Sequence, residues 1–177
     1  MEKSFKSIAK DYGLYLGALL SLLTVIGYAV SLDLFTKVWF GISLLIVIIA
    51  FGIISTSKSK KLLGGYITFK DTFTSYFITI LIGLVISALV SFIIFNVVDA
   101  EAANTLQQKI IETQVKRLES FNVPNEVISQ TVEKIEAKGN LYSIGNVLQS
   151  IVWQLAGFSI VGLIVAAIMK KRNPDSE

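Results

Sequence analysis

The chain alternates four long, uncharged apolar runs with shorter charged segments. The runs cover residues 12–32, 38–57, 72–98 and 147–169. A hydrocarbon core of about 30 Å takes roughly 20 helical residues to cross, so each run is long enough to be a transmembrane helix. The pattern predicts an all-α integral membrane protein, built as a four-helix bundle that forms one domain over residues 1–177.

Composition supports a membrane protein. Hydrophobic residues make up 53% of the chain and charged residues 16%, with a mean hydropathy of +0.67. Four spans in 177 residues leave little chain for a separate soluble unit. The net charge is +3, but the lysines stand at the edges of the apolar runs rather than in one basic stripe, so we expect no nucleic-acid partner.

The residue types that are missing restrict the chemistry. The chain has no Cys and no His, which excludes disulfides, thiolate nucleophiles, imidazole bases and the commonest metal ligands. The spans carry no charged residue, which weighs against a proton relay or an ion-coupled carrier. We therefore expect no enzyme, no cofactor and no metal. Four carboxylates of the segment 100–140 have the spacing of solvated helix faces: Glu112, Glu119, Glu133 and Glu136.

Lysine and arginine placement predicts the orientation. Basic residues cluster before the first span, between the second and third spans, and after the fourth. By the positive-inside rule both termini and the connector 58–71 are cytoplasmic, and the segment 100–140 is extracytoplasmic. A cleaved signal peptide is the alternative interpretation of the first run. Its apolar part exceeds the roughly 7–15 residues of a signal sequence, so a retained span is favoured.

The segment 100–140 predicts two amphipathic helices. Apolar residues recur at helical spacing, Pro124 suits the first position of the second helix, and Gly139 suits its end. The result is a helical hairpin between spans three and four. It is either a cap over the bundle or an element that binds a partner or ligand, and the sequence leaves open whether it lies on the membrane.

The connector offers a candidate site for an anionic headgroup. Gly64 and Gly65 can expose backbone N–H groups, and three lysines precede them: Lys58, Lys60 and Lys61. The favoured alternative is structural. In that case the glycines form an interfacial turn, and Thr68 with Asp71 makes a capping box that starts the third span.

Polar and small residues give two further predictions. Residues 13–17 (GLYLG) form a small-xxx-small pattern, which lets another helix approach closely, either within the bundle or in a homodimer. Four amide side chains near the outer ends of spans three and four either share a polar pocket or, as we favour, bond neighbouring helices: Asn96, Asn146, Gln149 and Gln154.

Three segments resemble an uncharacterised bacterial membrane family, domain of unknown function 4199. They are residues 13–17 (GLYLG), 64–71 (GGYITFKD) and 165–172 (VAAIMKKR). The resemblance extends over nearly the whole chain, in the order of these segments and in the hydropathy pattern. It implies a multi-pass protein of the bacterial cytoplasmic (inner) membrane, and it supplies no catalytic residues.

Two hypotheses for the function remain. The leading one is a non-enzymatic accessory or structural component, whose hairpin and small-residue helix faces contact a membrane-protein partner or a second copy. The alternative is a lipid-handling or small transport module, such as a partner of polyprenyl-phosphate sugar transfer, for which the basic rim is the argument. In both cases membrane lipids are partners.

Overall fold

The computed structural model describes residues 4–173, so both ends of the predicted domain, 1–3 and 174–177, lie outside the described residues. Within that range the structure is helical and contains no strand. The helices are α1 (Phe5–Val30), α2 (Val38–Leu62), α3 (Phe69–Ile93), α4 (Ala100–Ser120), α5 (Asn125–Glu136) and α6 (Ile144–Met169). A 3-10 turn, Leu32–Thr36, joins α1 to α2, and a π-helical turn, Ile94–Val98, prolongs α3.

Four of these helices are long and apolar enough to cross a membrane: α1, α2, α6 and α3 with its π-helical turn. The predicted all-α membrane fold is therefore confirmed. The helices are longer than the apolar runs of the sequence, because polar residues that follow an apolar run also form helical backbone hydrogen bonds. Helix α2, for example, ends at Leu62 and includes three lysines.

The bundle has two distinct ends. Helices α4 and α5 lie beyond the ends of α1 and α3, and we call this the hairpin side. The other end, the connector side, holds the turn between α2 and α3 and both ends of the described chain. There Ile67 and Lys171 exchange two backbone hydrogen bonds of 3.0 and 2.9 Å, which tie the connector to the segment after α6.

Helix α3 is the centre of the bundle and packs against α1, α2 and α6. Its contact with α1 is close because both helices present glycine. A Cβ atom added at Gly13 would lie 2.8 Å from the Ile82 Cβ, and one at Gly17 would lie 2.7 Å from the Ile86 Cβ. The small-xxx-small pattern thus serves an approach within the bundle.

A network of buried hydroxyl groups joins the first three spans on the connector side. Thr79 Oγ1 lies 2.7 Å from Ser55 Oγ and 3.1 Å from the Ala9 carbonyl oxygen, and Ser59 Oγ lies 2.8 Å from Ser75 Oγ. The four hydroxyl side chains have no exposed surface. Because unpaired hydroxyls are costly in an apolar interior, these bonds remove a penalty and fix the register of the helices.

The end of α2 and the start of α3 are capped by the residues that the sequence indicates. The N–H groups of Gly64 and Gly65, both with positive φ, donate to the carbonyls of Lys61 and Lys60, which is the Schellman arrangement. Thr68 Oγ1 accepts the N–H of Asp71 at 3.1 Å and starts α3.

Helix α4 covers the hairpin-side end of the bundle. Its buried residues Ala103 and Leu106 pack in one apolar cluster with Phe95, whose ring stacks on Tyr142 with centroids 4.2 Å apart. Burial raises the pKa of Tyr142 to about 12. Helix α5 packs on α4 alone among the described helices. The hairpin therefore sits on the bundle through α4.

The hairpin turn differs by one residue from the prediction. Pro124 was expected at the first helical position, but its ψ of 141° is extended and places it at the N-cap, so α5 begins at Asn125. The Pro124 carbonyl accepts the N–H groups of Val127 and Ile128. Asn122, with φ 55°, closes α4 in the position that glycine usually takes.

Two carboxylates fasten the hairpin to the spans. Asp33 accepts a 2.6 Å bond from the Lys109 ammonium, which lowers the pKa of Asp33 and raises that of Lys109. Asp99 caps α4 through the N–H of Ala102 and accepts the Tyr28 hydroxyl at 2.9 Å. The Ala102 N–H, followed by that hydroxyl, lowers the pKa of Asp99.

Candidate lipid-binding crevice

On the connector side, α2 and α6 are linked through a side chain of α3 and by a direct hydrogen bond. There the Tyr76 ring of α3 lies between Gly52 of α2 and Gly162 of α6, where added Cβ atoms would collide with it. Lys60 of α2 closes the same end by donating a hydrogen bond to the carbonyl oxygen of Met169, the last residue of α6. Towards the hairpin side a cavity lies between the two helices.

This cavity is a crevice of about 600 Å³ between α2 and α6. Leu84 and Ser87 of α3 lie among the residues that line it, and the space is open at the bundle surface. Gly41 and Gly157 stand on the two flanking helices, and a Cβ atom added at either would meet nothing within 4 Å. The lining is almost entirely apolar, as in sites that hold hydrocarbon ligands.

A smaller polar space of about 170 Å³ adjoins the crevice, and Leu84, Ser87 and Gln154 line both. Its hydroxyl and amide groups are largely occupied within their own helices. Gln154 Nε2 donates to Ser150 Oγ at 2.8 Å, and Ser91 Oγ donates to the Ser87 carbonyl at 2.9 Å. This side space is polar but carries no charged side chain.

A third space of about 460 Å³ lies at the hairpin-side end of α2, next to α4. It shares the lining residues Gly41 and Leu45 with the crevice, so the two spaces adjoin. Lys37, which precedes α2, and Arg117, in the last turn of α4, both line it. We call this space the basic mouth of the crevice.

The predicted amide cluster is divided. Asn96 and Asn146 do not bond each other but meet at Asn140: Asn140 Nδ2 donates to Asn96 Oδ1 at 3.0 Å, and Asn146 Nδ2 donates to the Asn140 carbonyl at 2.8 Å. Gln154 lines the crevice instead. The Gln149 side chain is exposed and forms no hydrogen bond with another residue of the range 4–173. Asn96 and Asn146 thus secure the return of the chain from the hairpin into α6.

The predicted headgroup contacts of the connector lie at the end opposite the basic mouth. Lys60 is engaged with Met169, whereas Lys58 and Lys61 are exposed. The N–H groups of Gly64 and Gly65 are already donated to α2 carbonyls. Anionic-lipid binding by this set stays a prediction, and the exposed lysines are the members with free charge to contribute.

Sequence reasoning missed the crevice and its mouth. Glycines at 41 and 157 give no signal of their own, because other glycines of the same helices form tight contacts. Lys37 and Arg117 are 80 residues apart in sequence, and nothing in the pattern brings them together. The hydroxyl network did leave a signal in the i, i+4 spacing of serine and threonine on two successive spans.

In the described range, no group of three or more acidic, histidine or cysteine side chains could hold a metal ion. The fold and the crevice define a polytopic α-helical membrane protein with a lateral opening between two of its spans.

Residues 11–171 match the family model described as "Protein of unknown function (DUF4199)", and the chain belongs to this family. The resemblance predicted from the three sequence segments is confirmed. Neither the curated proteins nor the solved structures include a match to the chain.

Proposed function

We propose that this protein is a non-enzymatic membrane component that holds a lipid in the crevice between α2 and α6. The observation that carries the proposal is the cavity of about 600 Å³ between these two spans, which is open at the bundle surface. A space of this size is within the range of small-molecule sites. The lipid-handling alternative of the sequence analysis is thereby favoured over a purely structural role.

An acyl chain fits this space on physical grounds. Apolar side chains next to an empty gap lose dispersion contacts, and a lipid tail restores them. Gly41 and Gly157 leave room for a chain to lie against the helix backbones. Water is a poor occupant, because the lining offers few hydrogen-bond partners.

The proposed orientation determines into which membrane leaflet the crevice opens. Four lysines lie in the connector segment 58–71, and further basic residues follow α6. If this end faces the cytoplasm, the crevice opens into the outer leaflet of the bacterial cytoplasmic membrane.

Cysteine substitution at Lys61 and at Gln130 of α5, followed by labelling of intact cells with an impermeant maleimide, tests the orientation. Labelling of position 130 alone is expected, and labelling of position 61 alone would reverse the assignment.

Filling the crevice tests the function. An added Cβ atom at position 41 or 157 meets nothing within 4 Å, so we expect leucine at both positions to enter the space, and the double variant should fold and lose bound lipid. The measurement is native mass spectrometry of protein extracted in mild detergent. Gly145→Leu is the matched control, because a Cβ there also meets nothing within 4 Å and Gly145 does not line the crevice.

The expected result is that the wild type and Gly145→Leu retain phospholipid, whereas Gly41→Leu/Gly157→Leu loses most of it. Equal retention by all three proteins would overturn the proposal. Circular dichroism and thermal unfolding establish that the variants are folded. The single variant Gly41→Leu, at an exposed position, serves if the double variant is unstable.

An accessory role through the hairpin is the second candidate. Phe121 at the hairpin turn is 73% exposed and Val127 on α5 is 45% exposed. A photocrosslinking amino acid at 121 in native membranes, with position 130 on the polar surface of α5 as control, would capture a protein partner or a second copy. Capture of lipid alone would count against this role.

A further inference from the structure

The apolar crevice cannot by itself select one lipid over another. Lipid tails are as apolar as leucine, so a chain moving from the bilayer into the crevice gains contacts but no hydrophobic transfer energy. Any preference among lipids must come from groups that meet the headgroup. Those groups lie at the basic mouth.

Two cationic side chains face the mouth and are free to bind an anion. Lys37 and Arg117 are both exposed, and neither forms an ion pair with another residue of the range 4–173. Lys109, by contrast, is bound to Asp33 at 2.6 Å. Asp33 also interacts with Lys37, but Lys109 partly neutralises the Asp33 carboxylate.

We expect the mouth to lie at the depth of lipid headgroups. Trp39 follows Lys37 by two residues and is 58% exposed, and tryptophan at a span end is typical of the membrane interface. The amino end of α2 carries no side-chain cap, so its dipole adds positive partial charge next to Lys37. The apolar crevice and the positively charged mouth therefore adjoin at Gly41 and Leu45.

We propose that Lys37 and Arg117 recognise the anionic headgroup of a phospholipid whose tail occupies the crevice. The proposal rests on the proposed function and adds the class of lipid. Arginine presents a planar fork of donors that matches phosphate oxygens, and lysine adds a compact charge. A zwitterionic lipid carries a cationic group that these residues repel, so the mouth discriminates by net charge.

The native tryptophans provide the measurement. The chain has two tryptophans, Trp39 and Trp153, so the variant Trp153→Phe leaves Trp39 as the single tryptophan, beside the mouth. The protein is reconstituted in phosphatidylcholine vesicles that contain either brominated phosphatidylglycerol or brominated phosphatidylcholine. Quenching of Trp39 against bromolipid fraction gives the relative affinity for the two lipids.

We expect phosphatidylglycerol to be preferred roughly tenfold in low salt, since each basic residue near the surface contributes about a factor of several. Lys37→Gln/Arg117→Gln should bring the ratio close to one. Lys58→Gln/Lys61→Gln removes the same charge from the connector side and should leave the ratio unchanged. Arg117→Lys retains the charge and should retain most of the preference.

An unchanged ratio in Lys37→Gln/Arg117→Gln, or no preference in the wild-type background, would overturn this inference. Failure of the crevice itself is distinguished by Gly41→Leu/Gly157→Leu. If that variant keeps both the preference and the bound lipid, the headgroup contact stands and the tail site does not. If it loses bound lipid while Lys37→Gln/Arg117→Gln keeps the ratio, the crevice stands and the headgroup assignment is wrong.

Discussion

The ammonium group of Lys60 donates a 2.9 Å hydrogen bond to the main-chain oxygen of Met169. That oxygen belongs to the last turn of α6, where carbonyls have no partner within the helix. The bond therefore joins the end of α2 to the end of α6 on the connector side, away from the crevice. The residue is fixed in a structural contact even though its position in the sequence suggests a lipid-facing cation.

Replacing Lys60 by Gln should lower the free energy of unfolding by about 1 kcal/mol, because a charged bond to the negative end of a helix dipole is lost. Unfolding by sodium dodecyl sulfate in mixed micelles, followed by circular dichroism, measures the change. Lys58→Gln is the control, since Lys58 is exposed on the same turn of α2. Equal stability of both variants would show that the bond contributes nothing in the membrane.

Gly17→Ala should destabilise the α1–α3 contact. The new methyl group would lie 2.7 Å from the Ile86 Cβ, so the helices must move apart, at a cost of about 1–3 kcal/mol. Gly145→Ala places the same group in open space and should leave stability unchanged or slightly higher. The same unfolding assay compares them, and a stable Gly17→Ala protein would contradict the close approach.

Thr79→Val should weaken the hydroxyl network while preserving side-chain shape. The hydroxyl reaches Ser55 on α2 and the Ala9 carbonyl on α1, so its loss removes contacts between three spans. Bonds of this kind contribute about 0.6 kcal/mol on average and up to about 1.7 kcal/mol. Thr24→Val is the matched control, because Thr24 bonds only the Leu20 carbonyl of its own helix. We expect the control to lose less stability.

Acid should release the hairpin from the bundle. The pKa values of Asp33 and Asp99 are lowered in the folded protein, so their stabilisation is complete above the ordinary aspartate value of about 3.9. It is lost as the pH falls through the lowered values. Amide hydrogen exchange in α4, corrected for intrinsic rates, should stay slow near pH 6 and become several-fold faster below about pH 4.

The aspartate variants identify the cause of that acid response. Asp99→Asn should increase exchange in α4 at pH 6 more than Asp33→Asn, because Asp99 both caps α4 and binds Tyr28. The pKa of Lys109 is raised, so the ion pair also weakens above about pH 10.4. Exchange that is independent of pH in the wild type would show that neither carboxylate holds the hairpin.

The spans and caps were predictable because their causes are local. The length of an apolar run decides whether a helix can cross the bilayer, and Thr68 with Asp71 three residues later is sufficient to start α3. The glycine pattern of residues 13–17 was predicted to allow close approach, but the partner helix was not predictable. Local patterns thus determined the elements and their ends.

The crevice was not predictable because it depends on the angle between two spans. Gly157 and Gly162 lie on the same helix, yet one borders open space and the other contacts Tyr76. The difference arises from where α3 places a large side chain. Asn140 was missed for a similar reason: its bonds to Asn96 and Asn146 join segments that only the fold brings together.

The hydroxyl network also has a consequence for biogenesis. All of its members belong to α1, α2 and α3, and its bonds need nothing from α6. During synthesis the first three spans emerge well before the fourth, because the hairpin must be made in between. They can satisfy their buried polar groups as soon as they enter the bilayer. The crevice, in contrast, is lined by residues of α6 as well as α2, so it is complete only after the fourth span has joined.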